Sequence, residues 1–183
     1  MPAISRSGRA RSLLASVAAA LLLAGCATPT PADYAQNTPV LDLRQYFDGE
    51  LTAHGMFSDR SGKVLRRFVV SMKCRWQGDQ GVLEEDFVYS DGAKERRVWR
   101  LTRHADGRYT GTADDVVGVA EGQASGNAFQ WRYTLKLPVD GTVYEVQFDD
   151  WMFLMDDRVM LNKAVMSKFG IRLGEVTLAF YRK

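Results

Sequence analysis

From residue 49 onward, apolar and polar residues alternate one by one along the chain instead of recurring every three or four positions. Phe68, Val70, Met72, Cys74 and Trp76 share one side of a run whose other side carries Arg67, Ser71, Lys73 and Arg75. Phe129, Trp131, Tyr133, Leu135 and Leu137 alternate in the same way with Gln130, Arg132, Thr134 and Lys136, and Tyr144, Val146, Phe148 and Met152 form a further apolar side. A period of two is the signature of a strand with one buried face. Short polar clusters punctuate these runs, among them Asp59-Arg60-Ser61-Gly62, Ser90-Asp91-Gly92, Ala105-Asp106-Gly107, Ser125-Gly126-Asn127 and Asp140-Gly141. Such clusters supply the positive φ that tight hairpin turns require. The pattern predicts strands at 50–58, 63–77, 82–90, 94–104, 108–114, 117–124, 128–137, 142–154, 158–166 and 171–182, preceded by a short helical turn within 40–47.

A meander of this length twists, and an open edge invites pairing with other chains. Closure resolves both problems. The predicted fold is therefore all-β: a single up-and-down antiparallel barrel of about 8–10 strands, lipocalin- or calycin-like, wide enough to enclose one small or elongated ligand. One predicted face is unusual. Gly118, Ala120, Gly122 and Ala124 are all small, which permits either close packing of something bulky or an open internal volume.

Some polar residues fall on apolar faces. Glu85 shares a side with Leu83, Phe87 and Tyr89, and Arg97 shares one with Trp99 and Leu101. With Ser90-Asp91-Gly92 as the turn, Phe87 is expected to oppose Arg97 and Glu85 to oppose Trp99, which makes Glu85 and Arg97 diagonal neighbours. Asp150 falls with Tyr144 and Met152, and Asn162 with Met160 and Met166. Three readings stand together: a polar wall in an apolar cavity, with Arg97 holding a carboxylate or phosphate; a self-satisfied Glu85–Arg97 pair; or a register displaced by one, which would turn these side chains outward. The candidate ligand-binding residues are Glu85, Arg97, Trp99, Trp131, Tyr133, Asp150 and Asn162.

The first residues have a different character. Arg6, Arg9 and Arg11 precede an apolar core at 13–23, which is too short to span a bilayer. Leu23-Ala24-Gly25-Cys26 then reads as a lipobox, so residues 1–25 are expected to be a lipoprotein signal peptide and Cys26 the lipid attachment site. Residues 26–39 are small, polar and proline-containing, and read as a lipidated N-terminus with a flexible tether; residues 40–183 form the barrel domain. Ala27 follows the cysteine, which favours the periplasmic face of the outer membrane over the inner membrane. Multiple acyl chains would anchor the protein to that membrane stably.

The formal net charge of +2 becomes about −1 once the three leader arginines are set aside, so no basic face for nucleic acid is implied. Cys74 has no partner for an internal disulfide and reads as a buried small hydrophobe. His54 and His104 lie on different strands, away from metal-ligand or nucleophile spacing. The pairs Asp114-Asp115, Asp149-Asp150 and Asp156-Asp157 point to opposite faces within each pair and read as turn or strand-end residues. No catalytic residue, metal site or cofactor is expected.

The stretches FDGELTAHGMFSDRSGK and DDWMFLMDDRVMLNKAVMSKFGIRLGEVTLAF, with the lipobox and tether, resemble a family of bacterial lipoproteins known as domain of unknown function 3833. The resemblance covers nearly the whole chain after Cys26 and implies a lipocalin-like barrel with no established activity. The Gly-x-Trp signature of true lipocalins is absent, since Phe47-Asp48-Gly49-Glu50-Leu51 carries the glycine without a tryptophan. The leading expectation is a monomeric, membrane-anchored binding protein for a fatty acid or other lipid. The alternative is a filled barrel with a structural or assembly role, which docks another envelope protein through outward residues such as Arg66, Lys73, Arg96 and Arg100.

Overall fold

The computed structural model describes residues 28–139 and 141–183. The expected signal peptide, Cys26 and the Asp140 half of the Asp140-Gly141 turn lie outside these residues. The chain forms β1 (Gly49–Asp59), β2 (Val64–Gln77), β3 (Gln80–Tyr89), β4 (Lys94–Arg103), β5 (Arg108–Thr112), β6 (Ala120–Ser125), β7 (Ala128–Val139), β8 (Thr142–Leu154), β9 (Val159–Lys168) and β10 (Ile171–Arg182). Each strand pairs antiparallel with the next, and β10 returns to β1, so the sheet closes into a ten-stranded up-and-down barrel. Ala53 marks the closure: it faces Val70 on β2 and Phe180 on β10.

The alternation seen in the sequence is the inside–outside alternation of the barrel wall. Val70, Met72 and Cys74 are buried, while Ser71, Lys73 and Arg75, which alternate with them, are exposed. Turn chemistry recurs at the hairpins. The side-chain oxygen of Asp59 accepts from Ser61 N at 2.8 Å, that of Asp91 from Ala93 N at 3.0 Å, and that of Asp156 from Arg158 N at 2.8 Å. These Asx bonds give the backbone a local alternative to continuing the strand.

Two predicted strands fall short of expectation, since β5 ends at Thr112 and β6 begins only at Ala120. Residues 117–119 lie outside β6, because Gly118 adopts φ +70° and breaks the extended run. The segment from 113 to 119 instead lies against β7, held by Lys136 N donating to Asp115 O at 2.8 Å and Val117 N to Thr134 O at 2.9 Å. The all-small face accordingly shrinks to Ala120, Gly122 and Ala124. Close packing, not open volume, explains it: a Cβ at Gly122 would lie 2.5 Å from Trp131 Cε3 and 2.4 Å from Gln130 O.

One end of the barrel is plugged. The helical turn expected within 40–47 is α1 (Leu43–Tyr46), capped by Asp42 Oδ1, which accepts from Arg44 N at 2.9 Å. Leu41, Leu43, Tyr46 and Phe47 around it are all buried. Tyr46 OH donates to Arg158 O (3.0 Å) and Phe180 O (3.2 Å), and Trp76 Nε1 donates to Phe47 O (2.8 Å), so the plug is tied to three strand ends. The stretch expected to be a flexible tether also touches this end. Pro31–Tyr34 form a 3-10 turn, and the Tyr34 ring packs 5.5 Å from Trp151 and 5.2 Å from Phe153.

Candidate functional site

The interior of the barrel is hollow, with a cavity of about 1250 Å³ that runs from Leu43 and Phe47 at the plug to Leu137, Pro138 and Tyr144 at the opposite rim. Binding pockets for small molecules generally span about 300–1000 Å³, so this space accommodates an elongated ligand. The filled barrel of the alternative reading is not what this chain builds.

Glu85, Arg97, Trp99, Trp131, Tyr133, Asp150 and Asn162 all line the same cavity. Alternation along β3, β4, β7, β8 and β9 carries each of them inward. The expected register between β3 and β4 needs correction. The turn closes at Tyr89, whose N–H donates to Ala93 O at 2.9 Å, so Glu85 sits directly opposite Arg97 and Leu83 opposite Trp99. The pair is thus cross-strand, not diagonal.

The principal partner of Arg97 is a residue the sequence pattern did not single out. Its Nη2 and Nε both donate to Asp115 Oδ2, at 2.7 and 2.8 Å, whereas Nη1 stays 4.0 Å from Glu85 Oε2. The guanidinium also lies over Phe87, 5.4 Å from the ring centre. The sequence reading placed Asp115 at a turn or strand end, which is correct; the missing element was the fold of the 113–119 segment onto β7, which brings Asp115 over the cavity wall. Two surroundings keep Arg97 charged against the cost of its burial: Glu85 and Asp115 together raise its pKa.

Asp150 forms the second polar group. It accepts from the amide of Asn162 and from Tyr133 OH at 3.5 Å, and Asn162 Nδ2 also donates to Trp151 O at 3.3 Å. Its sequence neighbour Asp149 points outward, 3.4 Å from Arg132, as strand geometry requires. Burial pushes the Asp150 carboxyl up to about 7, although the bonds from Asn162 and Tyr133 act in the other direction. Burial likewise pushes Glu85 up to about 7; Arg97 opposes this, and Asp115 and Asp150 add to it. Desolvation also raises the Tyr133 hydroxyl well above the usual phenol range.

Aromatic rings shape the rest of the cavity. The Trp99 ring lies 5.7 Å from Trp131 and 5.4 Å from Tyr133, and Tyr133 stacks on Phe148 at 4.9 Å. Toward the rim, Phe68 meets Phe87 at 5.8 Å and Tyr89 at 5.7 Å. Arg66, expected to face outward, stands on the lining side at this rim, over the Tyr89 ring and bonded to Asp91 at 2.8 Å. Arg96 is outward as expected and is paired with Asp86 and Glu84 at 2.8 and 2.6 Å. His104 bonds Thr110 Oγ1 at 2.9 Å. Cys74 is buried, and that burial pushes its thiol up to about 12. Among the described residues no His, Cys, Asp or Glu are grouped in the way a metal ion would need.

A closed meander around a hollow, aromatic-lined interior defines a lipocalin-like, calycin-type barrel. The chain belongs to the family described as protein of unknown function (DUF3833), whose model matches residues 20–182. No curated protein matches it in sequence. Among solved structures it is similar to the S-type phycobiliprotein lyase CPES from Guillardia theta, with a TM-score of 0.61 and 6% identity over 85% of this chain and 98% of that one. It is also similar to a protein with unknown function from the DUF3598 family of Nostoc punctiforme, with a TM-score of 0.54 and 12% identity over 86% of this chain and 53% of that one. At these identities the likeness is one of fold.

Proposed function

We propose that this protein is a lipid-binding barrel: it holds one elongated, largely apolar molecule inside the cavity and is tethered to a membrane of the cell envelope through acylated Cys26. The observation that carries the reading is the hollow interior of about 1250 Å³, walled by aromatic and aliphatic side chains with only a few polar groups converging at mid-depth. Trp99, Trp131, Tyr133 and Phe148 offer rigid apolar contact area, and Leu43 and Phe47 close the far end against water. Arg97 is held by Asp115, and Asp150 by Asn162 and Tyr133, so these polar groups are fixed in orientation within the apolar wall. The lyase shares the fold alone, so its chemistry is not carried over.

Protein purified without detergent is expected to release a stoichiometric apolar molecule on organic extraction and to show the corresponding added mass in native mass spectrometry. Empty protein that also fails to take up an apolar fluorescent dye would sink the binding reading. For the tether, Cys26→Ala is expected to abolish incorporation of labelled palmitate and move the protein from the membrane to the soluble fraction; unchanged fractionation would remove the anchor from the proposal.

A further inference from the structure

The polar belt at mid-depth in the cavity contains more carboxylates than cations. At mid-depth Arg97 is the one cation among the described lining residues, beside the carboxylates of Glu85, Asp115 and Asp150, while Arg66, Arg96, Lys136 and Lys168 stand at the rim. Two N–H groups of Arg97 already point at a single oxygen of Asp115, and one face of the guanidinium is covered by Phe87. Asp115 Oδ1 is buried without a hydrogen-bond partner. Glu85, whose side chain is 12% exposed, has only the 4.0 Å approach of Arg97. Asn162 and Tyr133 donate to Asp150. A buried acceptor without a donor is costly. A ligand that brings a donor to Glu85 supplies this carboxylate with a hydrogen bond, whereas a ligand that brings a further carboxylate adds a like charge beside Glu85, Asp115 and Asp150.

Resting on the lipid-binding reading above, we infer that the cavity selects lipid-like molecules whose polar group donates hydrogen bonds to Glu85, an amine or an alcohol, and discriminates against free fatty acids. Apolar compartments exist on both sides of the belt for the alkyl portion. Leu43, Leu83 and Leu101 lie toward the plug, and Phe57, Phe68 and Leu137 toward the rim. An alkyl arm fits either compartment, and the position of Glu85 fixes where its polar group sits. A carboxylate head would have to displace Asp115 from Nη2 and Nε of Arg97 to gain a two-point contact. Thus the residue that a sequence reading offers as an anion holder is already neutralised by the protein itself.

The test uses purified protein loaded with a neutral, environment-sensitive apolar dye at pH 8 and displaced by decylamine, decanol or decanoate. The amine and the alcohol are expected to displace the dye at concentrations about tenfold or more below that of decanoate, the scale of one charge-assisted hydrogen bond gained or one buried charge avoided. In Glu85→Gln, which keeps an acceptor oxygen but removes the negative charge, decylamine is expected to lose its advantage over decanoate while decanol is little changed. Dye uptake by the variant reports that the cavity is intact. If the dye binds the unaltered protein and decanoate competes as well as decylamine, the inference is overturned and the lipid-binding reading survives. If neither dye nor competitor binds, as checked by native mass spectrometry, both fall.

Discussion

Glu85→Gln has a second consequence, in the pH dependence of folding. Burial raises the Glu85 carboxyl from 4.5 to about 7 and the Asp150 carboxyl from 3.8 to about 7. Between the lower and the upper values the folded protein retains protons that the unfolded chain has given up. Stability therefore falls as pH rises through this window, and the fall ends above the folded-state values. Near the middle of the window each group accounts for close to one proton, which gives a slope of about 1.4 kcal/mol per pH unit for one group and about 2.7 for the two together. Exposed carboxylates with lowered pKa, such as Asp59 and Asp91, act in the opposite sense but in a more acidic range. Urea unfolding at intervals from pH 5 to pH 8 should show stability declining toward neutrality in the unaltered protein. Glu85→Gln should halve that slope and be the more stable of the two at pH 8. A profile that is flat or rising between pH 5 and 7, or a variant with an undiminished slope, would refute the argument that these carboxyls are desolvated.

Gly122→Ala places a Cβ against Gln130 O and the Trp131 ring, so it should destabilise by about 1–3 kcal/mol or more, read as a lowered denaturant midpoint. Arg97→Met leaves Glu85 and Asp115 without their cation and should cost about 3–5 kcal/mol at pH 8, with partial recovery at pH 5 where Glu85 is protonated. Tyr46→Phe removes the bonds to Arg158 O and Phe180 O; a loss of about 1 kcal/mol and faster hydrogen exchange in α1 are expected, with β3 and β4 unaffected.

The wall of this barrel was legible in the sequence because one face of nearly every strand is apolar. Phe68 through Trp76 and Phe129 through Leu137 declare their inward faces by alternation alone, and the Asx-type turns mark where each strand must end. The candidate cavity residues were legible for the same reason: a strand that puts Trp99 inward must also put Arg97 inward. What alternation cannot encode is how a non-strand segment lies across the sheet. Asp115 belongs to such a segment, so its pairing with Arg97 appeared only once the bonds from Lys136 and Val117 fixed that segment on β7. Register between β3 and β4 was lost for a related reason. It depends on which pair of residues closes the turn, and a displacement of two positions leaves every side chain on its own face while changing its partner.

The docking of Tyr34 onto Trp151 and Phe153 has a geometric corollary. It brings the chain leading back toward residue 30 to the plugged pole of the barrel, beside the turn at Gly126 whose carbonyl accepts from Leu41 N at 2.8 Å. From Thr30 back to Cys26 the backbone can extend by at most roughly 14 Å. An acyl group on that cysteine would therefore hold the molecule by its sealed pole, like a cup fixed by its base, with the opening turned toward the aqueous compartment. Cargo would then be exchanged with whatever approaches from that compartment, and not by direct transfer from the leaflet that carries the anchor.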